Sequence, residues 1–237
     1  GYPGAFVTFW EDFVTDHVSQ LVETVGGGAT QDLAHPSLNG GWWRQQLAGD
    51  DGDDLLLAGE VIWEVDEGQP LVFETRVKPT TVGLQYFGAG MSDANTESSG
   101  IAPIDAESGT LLVTASDAVI IFCDESVGGT FDPTPSATGT RGDTDTDATK
   151  AATLMTNAAD FTAGSIQVWR MVLTTPDSGT ARIYTGSADE MGGGTLRKTI
   201  TSAFTSSVAL CPVLAAEDRS VDTDVDWDYI FVQSPRT

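Results

Sequence analysis

Runs of alternating apolar and polar residues recur along this chain and restrict it to a β-rich fold. In residues 70–78, PLVFETRVK, the side chains at odd positions from Leu71 to Val77 are mainly apolar, and those at even positions from Val72 to Lys78 are mainly polar. Because side chains alternate between the two faces of a strand, this run predicts an antiparallel strand with one buried face. Residues 118–123 are apolar throughout, which predicts a central strand covered on both faces.

Runs of this kind are separated by turns rich in Gly, Pro, Asp and Ser. They span residues 41–47, 55–65, 70–78, 82–90, 110–114, 117–123, 165–174, 180–186, 195–201, 207–214 and 225–233. Many short strands with almost no helical pattern predict an all-β fold of two stacked antiparallel sheets. Residues 11–25 are ambiguous, because their apolar side chains have helical spacing but are largely β-branched and the run ends at three glycines.

The 237 residues fit one large β-sandwich, so residues 1–237 are predicted to form a single domain. Residues 124–162 interrupt the strand pattern with Gly, Pro, Ser, Thr and Asp and contain few apolar residues. Strand-like runs on both sides read as halves of one fold. We therefore expect 124–162 to be a long, acidic, exposed loop within that domain.

The charge of the chain excludes several classes of partner. With 35 acidic residues against 11 basic ones the net charge is −24, which argues against binding to nucleic acid or to anionic membrane lipids. No apolar run approaches the length of a membrane-spanning helix. Of the acidic residues 24 are Asp, and only 3 basic residues are Lys. Either a salty environment or the abundance of turns in a β domain explains this bias.

Known catalytic patterns are weak or absent. The sequence contains no GxSxG nucleophile elbow and no phosphate-binding loop. Glu64 and Asp66 partly match the E-x-D-x-E strand of laminarinase-type glucanases, but the third acid, Glu67, falls one residue early. A solvated strand end that enters a hairpin is the favoured interpretation of these acids. Cys123 and Cys211 lie in apolar runs without a CxxC motif and are predicted to be buried free thiols, with a disulfide between facing strands as the alternative.

Two further groups are candidates for binding. Asp143, Asp145 and Asp147 alternate as the first ligands of an EF-hand loop do, which indicates a calcium site, although the expected Gly is Ala148 and the expected Glu is Leu154. A solvated acidic loop is the alternative. Trp42 and Trp43 are adjacent, so in a strand one ring can anchor the core while the other is a candidate for stacking on a sugar or for an interface. A wholly structural role for both rings is the alternative.

Several segments resemble concanavalin A-like, laminin G-like jelly-roll proteins found among the structural proteins of tailed bacteriophages and related viruses. They are Glu11–Phe13, Gly40–Arg44 followed by an acidic turn and Leu55–Ala58, Pro70–Val77, Gly179–Tyr184 and Val225–Val232. Together they cover most of the chain in order. The chain departs from the pattern at Thr185–Ala188, where an Asn-Gly turn is usual, and in the length of 124–162.

The resemblance implies a jelly-roll sandwich without enzymatic activity or cofactor. It implies a capsid decoration protein on the outer surface of a virion, with the major capsid protein as partner and a homo-oligomer, preferably a trimer, as its state. The alternative is a carbohydrate-binding sandwich on a tail or turret that recognises host glycans through Trp42 or Trp43 and a calcium-bearing acidic loop. A divergent glycanase that uses Glu64 and Asp66 is a third hypothesis.

Overall fold

The strands follow the alternation in the sequence and extend beyond it. A computed structural model describes residues 6–13, 21–27, 30–34, 41–47, 54–65, 69–81, 85–95, 103–107, 110–124, 132–141, 153–154, 160–175, 179–190, 192, 194–218 and 224–235. Its strands are β1 (Phe6–Glu11), β2 (Val22–Val25), β3 (Thr30–Ala34), β4 (Trp42–Gln46), β5 (Asp54–Ala58), β6 (Trp63–Glu64), β7 (Leu71–Pro79), β8 (Gln85–Ser92), β9 (Ile104–Glu107), β10 (Thr110–Val113), β11 (Ala118–Asp124), β12 (Asp132–Thr140), β13 (Thr153–Leu154), β14 (Gln167–Thr174), β15 (Thr180–Ser187), β16 (Thr195–Thr201), β17 (Ala209–Asp218) and β18 (Asp224–Pro235).

These strands form two eight-stranded sheets, and every pairing between them is antiparallel. The first sheet has the order β16-β15-β14-β7-β18-β4-β3, with β1 also paired to β18. The second has the order β13-β12-β11-β8-β17-β5-β2, with β6 also paired to β17. β9 and β10 form a separate hairpin. The described residues contain no helix, so the predicted all-β fold with two antiparallel sheets is confirmed.

The main core lies between the two sheets. On β7 the odd-numbered residues from Leu71 to Val77 are fully buried in the interface, as their alternation predicted. Trp43, Trp169 and Trp227 of the first sheet pack there with apolar residues of the second sheet, such as Phe87. The rings of Phe87 and Trp169 stack with their centroids 5.8 Å apart, which joins the two sheets at the centre of the core.

A second apolar cluster covers the outer face of the second sheet. All seven residues of β11 are buried, which confirms that this strand is covered on both faces. Ile120 and Phe122 point into the outer cluster with Tyr86, and Ala94 and Ala115 of the neighbouring segments belong to it or pack against it. This sheet is therefore buried on both sides over its central strands.

Residues 124–162 are not one continuous loop. Asp132–Thr140 forms β12, which pairs with β11, and Thr153–Leu154 forms β13, which pairs with β12. The prediction of a single long loop failed because β12 is built from small and polar residues, which give no apolar alternation in the sequence. Ser136, Ala137 and Thr138 are nevertheless buried, and a side chain at Gly139 would contact the Ala203 carbonyl oxygen at 2.6 Å. Residues 125–131, 142–152 and 155–159 lie outside the described part of the chain.

The ambiguous segment 11–25 forms strand at both of its described ends, because β1 ends at Glu11 and Val22–Val25 forms β2.

Both cysteines are buried free thiols, as predicted. Within the described ranges, no helix is long and apolar enough to cross a membrane. The single-domain assignment stays a prediction.

Candidate functional site

A polar cleft lies at one end of the sandwich, where β14 begins, β15 ends and β16 begins. Its volume is about 220 Å³. Side chains with hydrogen-bonding or charged groups form most of its wall: Asp160, Ser165, Gln167, Thr185, Ser187, Glu190 and Arg197, with Ile166 and Gly186 completing the lining. We call it the end cleft.

The turn that follows β15 places Glu190 at the end cleft. The Glu190 Oε2 atom accepts hydrogen bonds from the Ser187 backbone N–H at 2.7 Å and from Ser187 Oγ at 3.2 Å. A side chain at Gly186 would lie 2.9 Å from Glu190 Cβ, and one at Gly194, where φ is +85°, would lie 2.6 Å from the Thr185 carbonyl oxygen. Glycine at both positions therefore permits the tight turn.

A β-bulge directs Arg197 to the same cleft. Ile183 pairs with Lys198 and Tyr184 pairs with Leu196, so Arg197 is the extra residue in β16. An extra residue bends a strand and changes the direction of its side chain. The Arg197 Nε–H donates to Thr185 Oγ1 at 3.0 Å, which holds the guanidinium group at the wall of the cleft.

Residues from two other segments complete the wall. Thr134 Oγ1 of β12 donates to Asp160 Oδ1 at 2.6 Å. This hydrogen bond attaches Asp160, a residue of the cleft wall, to β12. Trp169 Nε1 donates to Gln167 Oε1 at 3.4 Å. The cleft thus combines two carboxylates, a guanidinium group, an amide and three hydroxyl groups, and this set can both donate to and accept from a ligand rich in hydroxyl groups.

The turn after β15 is also fixed from the outer face of the first sheet. Glu74, which is 3% exposed, accepts hydrogen bonds from the Gly192 N–H at 2.9 Å, Arg170 NH1 at 3.0 Å and the Tyr229 hydroxyl at 2.8 Å. Arg76 NH1 donates to the Ala188 carbonyl oxygen at 3.3 Å. Ala188 and Gly192, which follow β15, are therefore held by Arg76 and by the buried Glu74.

Burial and hydrogen bonding shift the pKa values of three groups on this outer face. It raises the pKa of the Tyr229 phenol, and the adjacent negative charge of Glu74 raises that pKa further. Burial also raises the pKa of the Asp228 carboxyl, although the ion pair with Arg76 opposes the shift. The hydrogen bond from Arg44 to Asp226, which is fully buried, raises the pKa of Arg44.

The two tryptophans proposed for sugar stacking are both buried. Trp43 is 2% exposed and packs in the main core against Phe13 at 5.8 Å between ring centroids, so it is the core anchor of the pair. Trp42 points to the outer face but is only 5% exposed, because Arg76 and Lys78 each lie 5.6 Å from its ring centroid. A sugar would have to displace these two cations to reach Trp42.

The other predicted site residues are not brought together in the described structure. Glu64 is exposed on the two-residue strand β6, whereas Asp66 and Glu67 lie outside the described residues. Asp143, Asp145 and Asp147 also lie outside them, so the calcium site stays a prediction. The residues that are described contain no group of three or more His, Cys, Asp or Glu side chains arranged to hold a metal ion.

Comparisons with known proteins identify the fold. No protein-family model matches the sequence, and no curated protein sequence matches it. The structure is similar to the potassium-bound carbohydrate recognition domain of Emp46p, with a TM-score of 0.64 and 10% identity over 94% of each chain. It is also similar to lectin II from Ulex europaeus, with a TM-score of 0.60 and 10% identity over 96% of this chain and 98% of the lectin.

An enzyme shares the same architecture. The β-glucanase of Bacillus licheniformis has a TM-score of 0.56 and 12% identity over 97% of this chain and 98% of the enzyme. The chain therefore has the concanavalin A-like jelly-roll fold, the sandwich seen in legume lectins. At these identities the similarity shows the fold alone.

The end-cleft residues could not be selected from the sequence. Asp160 lies before β14, Glu190 follows β15 and Arg197 lies on β16, so these side chains converge only when β14, β15 and β16 assemble. The one local signal in the sequence was Thr185–Ala188, where the chain departs from the viral jelly-roll pattern.

Proposed function

We propose that this chain is a non-enzymatic, lectin-like module that binds a glycan in the end cleft. The observation that carries the proposal is the convergence of Asp160, Glu190 and Arg197 with hydroxyl and amide side chains in one open cleft of about 220 Å³. Sugars present many hydroxyl groups that both donate and accept hydrogen bonds, and this wall offers both functions. The fold supports the proposal by analogy, since several structural neighbours are carbohydrate recognition domains or lectins.

Binding without turnover agrees with how the two carboxylates are used. Asp160 accepts a hydrogen bond from Thr134, and Glu190 accepts two from Ser187, so both carboxylates also build the walls of the cleft. A glycanase is the competing proposal, because glycoside hydrolysis also requires two carboxylates in one cleft. Hydrolysis of any bound oligosaccharide by the wild-type protein would favour the glycanase.

The first experiment is a glycan array probed with the wild-type protein, with added calcium and with a chelator. We expect binding to a restricted set of glycans. If binding is lost with the chelator and also in Asp145→Asn, the acidic segment 143–147 provides the calcium site; unchanged binding in both removes calcium from the proposal.

Cleft variants then locate the site. Asp160→Asn and Arg197→Gln should each weaken binding to a glycan identified on the array by about tenfold or more, because a polar group that contacts the ligand is lost. Asp160 is exposed, so its variant should keep the native fold. Leu196→Ala is the matched control, since Leu196 neighbours Arg197 and is 48% exposed but does not line the cleft. Full affinity in both cleft variants would exclude the end cleft.

The virion role rests on the viral resemblance and on the net charge of −24, which suits an outer surface. Capsid decoration, with the major capsid protein as partner, stays a separate prediction. Co-sedimentation of the protein with capsid shells tests the capsid decoration role. A glycan-binding module on the surface of a virion would agree with both the decoration role and the glycan-binding proposal.

A further inference from the structure

Three charged side chains line the end cleft without pairing with one another. Asp160, Glu190 and Arg197 all belong to its wall. None of the three takes part in the ion pairs that the described residues form. A carboxylate and a guanidinium group attract each other strongly at short range, so charges that stay separate in one cleft are held apart by their neighbours.

Each of these charges is held by the hydroxyl group of a neighbouring residue. The three hydrogen bonds join Asp160 Oδ1 to Thr134 Oγ1 at 2.6 Å, Glu190 Oε2 to Ser187 Oγ at 3.2 Å and Arg197 Nε to Thr185 Oγ1 at 3.0 Å. They use one oxygen of each carboxylate. Among the described residues no group bonds to the other oxygen, Asp160 Oδ2 or Glu190 Oε1, so both atoms can accept from a ligand.

The balance of charge around the end cleft favours a cation. Two carboxylates face one guanidinium group in its wall, and the whole chain has a net charge of −24. Arg76 and Arg170 approach the turn after β15 from the outer face, but they form ion pairs with Asp228 and Glu74. These two cations therefore do little to offset the negative potential at the cleft, which raises the local concentration of cationic ligands.

We infer, on the basis of the glycan binding proposed above, that the end cleft takes amino sugars and that Asp160 and Glu190 bind their protonated amines. An ammonium group has three donors and no acceptor, which matches the open carboxylate oxygens. Hydrogen bonds between two charged groups are roughly twice as strong as neutral ones, so the amine contributes more to affinity than a hydroxyl group would. Arg197, which can only donate, binds hydroxyl oxygens of the same glycan.

N-acetylation of the ligand tests the inference, because it removes the charge of the amine and leaves the ring hydroxyl groups in place. Oligosaccharides of glucosamine and of galactosamine are titrated into the wild-type protein by calorimetry, each beside its N-acetylated form, at about pH 6, where amines of this kind are protonated. At least one amino form should bind about tenfold more tightly than its N-acetylated form. Added salt should reduce this preference, because it screens the attraction between the charges.

Charge-removing variants identify the groups that recognise the amine. Asp160→Asn and Glu190→Gln keep an oxygen that can accept from Thr134 or Ser187, so the wall should keep its shape while one charge is lost. Each should weaken binding of the amino form by about tenfold and binding of the N-acetylated form much less. Asp189→Asn is the matched control, since Asp189 is exposed next to Glu190 but does not line the cleft, and it should bind both forms as the wild-type protein does.

Several results would overturn the amino-sugar inference and leave glycan binding intact. They are equal affinity for the amino and N-acetylated forms, tighter binding of an acidic glycan, and binding of other array glycans with no binding of either amino form. An Asp189→Asn variant that loses the preference as Asp160→Asn does would show that net charge, and not the cleft, selects the amine. A wild-type protein that binds no glycan at all would overturn the inference together with the proposed function.

Discussion

Glu74 shows how a single buried carboxylate can organise the outer face of a sheet. It lies on β7 and receives hydrogen bonds from β14 through Arg170, from β18 through Tyr229 and from the turn after β15 through Gly192. Glu74 also forms an ion pair with Arg170, and its carboxylate is shielded from solvent because the Glu74 side chain is only 4% exposed. One residue therefore connects three elements and supports the turn that positions Glu190.

We expect Glu74→Gln to lower the free energy of unfolding by about 2–3 kcal/mol, because the variant leaves Arg170 without its counter-charge and one buried acceptor is lost. This decrease is smaller than that expected on breaking a fully buried ion pair, since the Arg170 side chain is 23% exposed. Urea denaturation measures the change. Glu60→Gln, at an exposed position, is the control and should change stability by less than about 0.5 kcal/mol. Equal effects of the two substitutions would contradict the role given to Glu74.

Tyr229 should make the protein sensitive to alkaline pH. Burial and the negative charge of Glu74 raise the pKa of the Tyr229 phenol in the folded state, whereas in the unfolded chain the pKa returns to about 10. The stabilisation linked to this group is therefore fully present below about pH 10 and is lost as the pH rises above it.

The urea midpoint of the wild-type protein should thus fall more steeply above about pH 10 than that of Tyr229→Phe, which has no phenol to titrate at this position. The chain contains three other tyrosines, which both proteins share, so the difference between the two curves reports Tyr229 alone. Parallel curves would show that the phenol is not buried in this way.

At the scale of single residues, the sequence predicted which side chains lie in the core better than it predicted which side chains line the candidate site. The adjacent tryptophans were correctly expected to face opposite sides, and Trp43 is the core anchor. The sequence could not show that Arg76 and Lys78 cover Trp42, because that contact requires β4 and β7 to be placed next to β18. Arg197 carried no signal at all, since its direction depends on a bulge in the pairing of β15 with β16.

At the scale of elements, strands were predictable where one or both faces are apolar. β7, β11 and β14 fill the centres of their sheets, and their apolar periodicity identified them. β12 was not predicted because it packs closely against Ala203 and is built from small and polar residues instead of large apolar ones. β3 and β9 were not predicted because their short sequences contain few apolar residues. Pairing with a neighbouring strand, not the local sequence, makes such segments into strands.

Close packing on β8 makes a prediction about one glycine. A side chain at Gly88 would clash with Tyr86 Oη and would lie 3.1 Å from Ile120 Cγ2, and both residues belong to the outer apolar cluster. Tyr86 is fully buried and its ring stacks on Phe122, so it has little freedom to move. Gly88→Ala should therefore cost about 1–3 kcal/mol of stability as measured by urea denaturation.

The matched control for that change is the same substitution in a Tyr86→Phe background. Removing Oη takes away the nearest obstacle, so the cost of Gly88→Ala should become smaller there. If the cost is unchanged, Tyr86 is not what excludes a side chain at position 88.

At the scale of the whole molecule, the end cleft lies where β14, β15 and β16 meet, at the edge of the first sheet opposite β3. The net charge of −24 favours neutral or basic ligands over anionic ones.

The central claim is glycan binding at the end cleft, and calorimetric titration tests it most directly. A glycan selected on the array is titrated into the wild-type protein and into Arg197→Gln. The account predicts saturable binding to the wild-type protein and an affinity at least about tenfold weaker in the variant. If no glycan on the array binds the wild-type protein, or if the variant binds with equal affinity, the end cleft is not a glycan site.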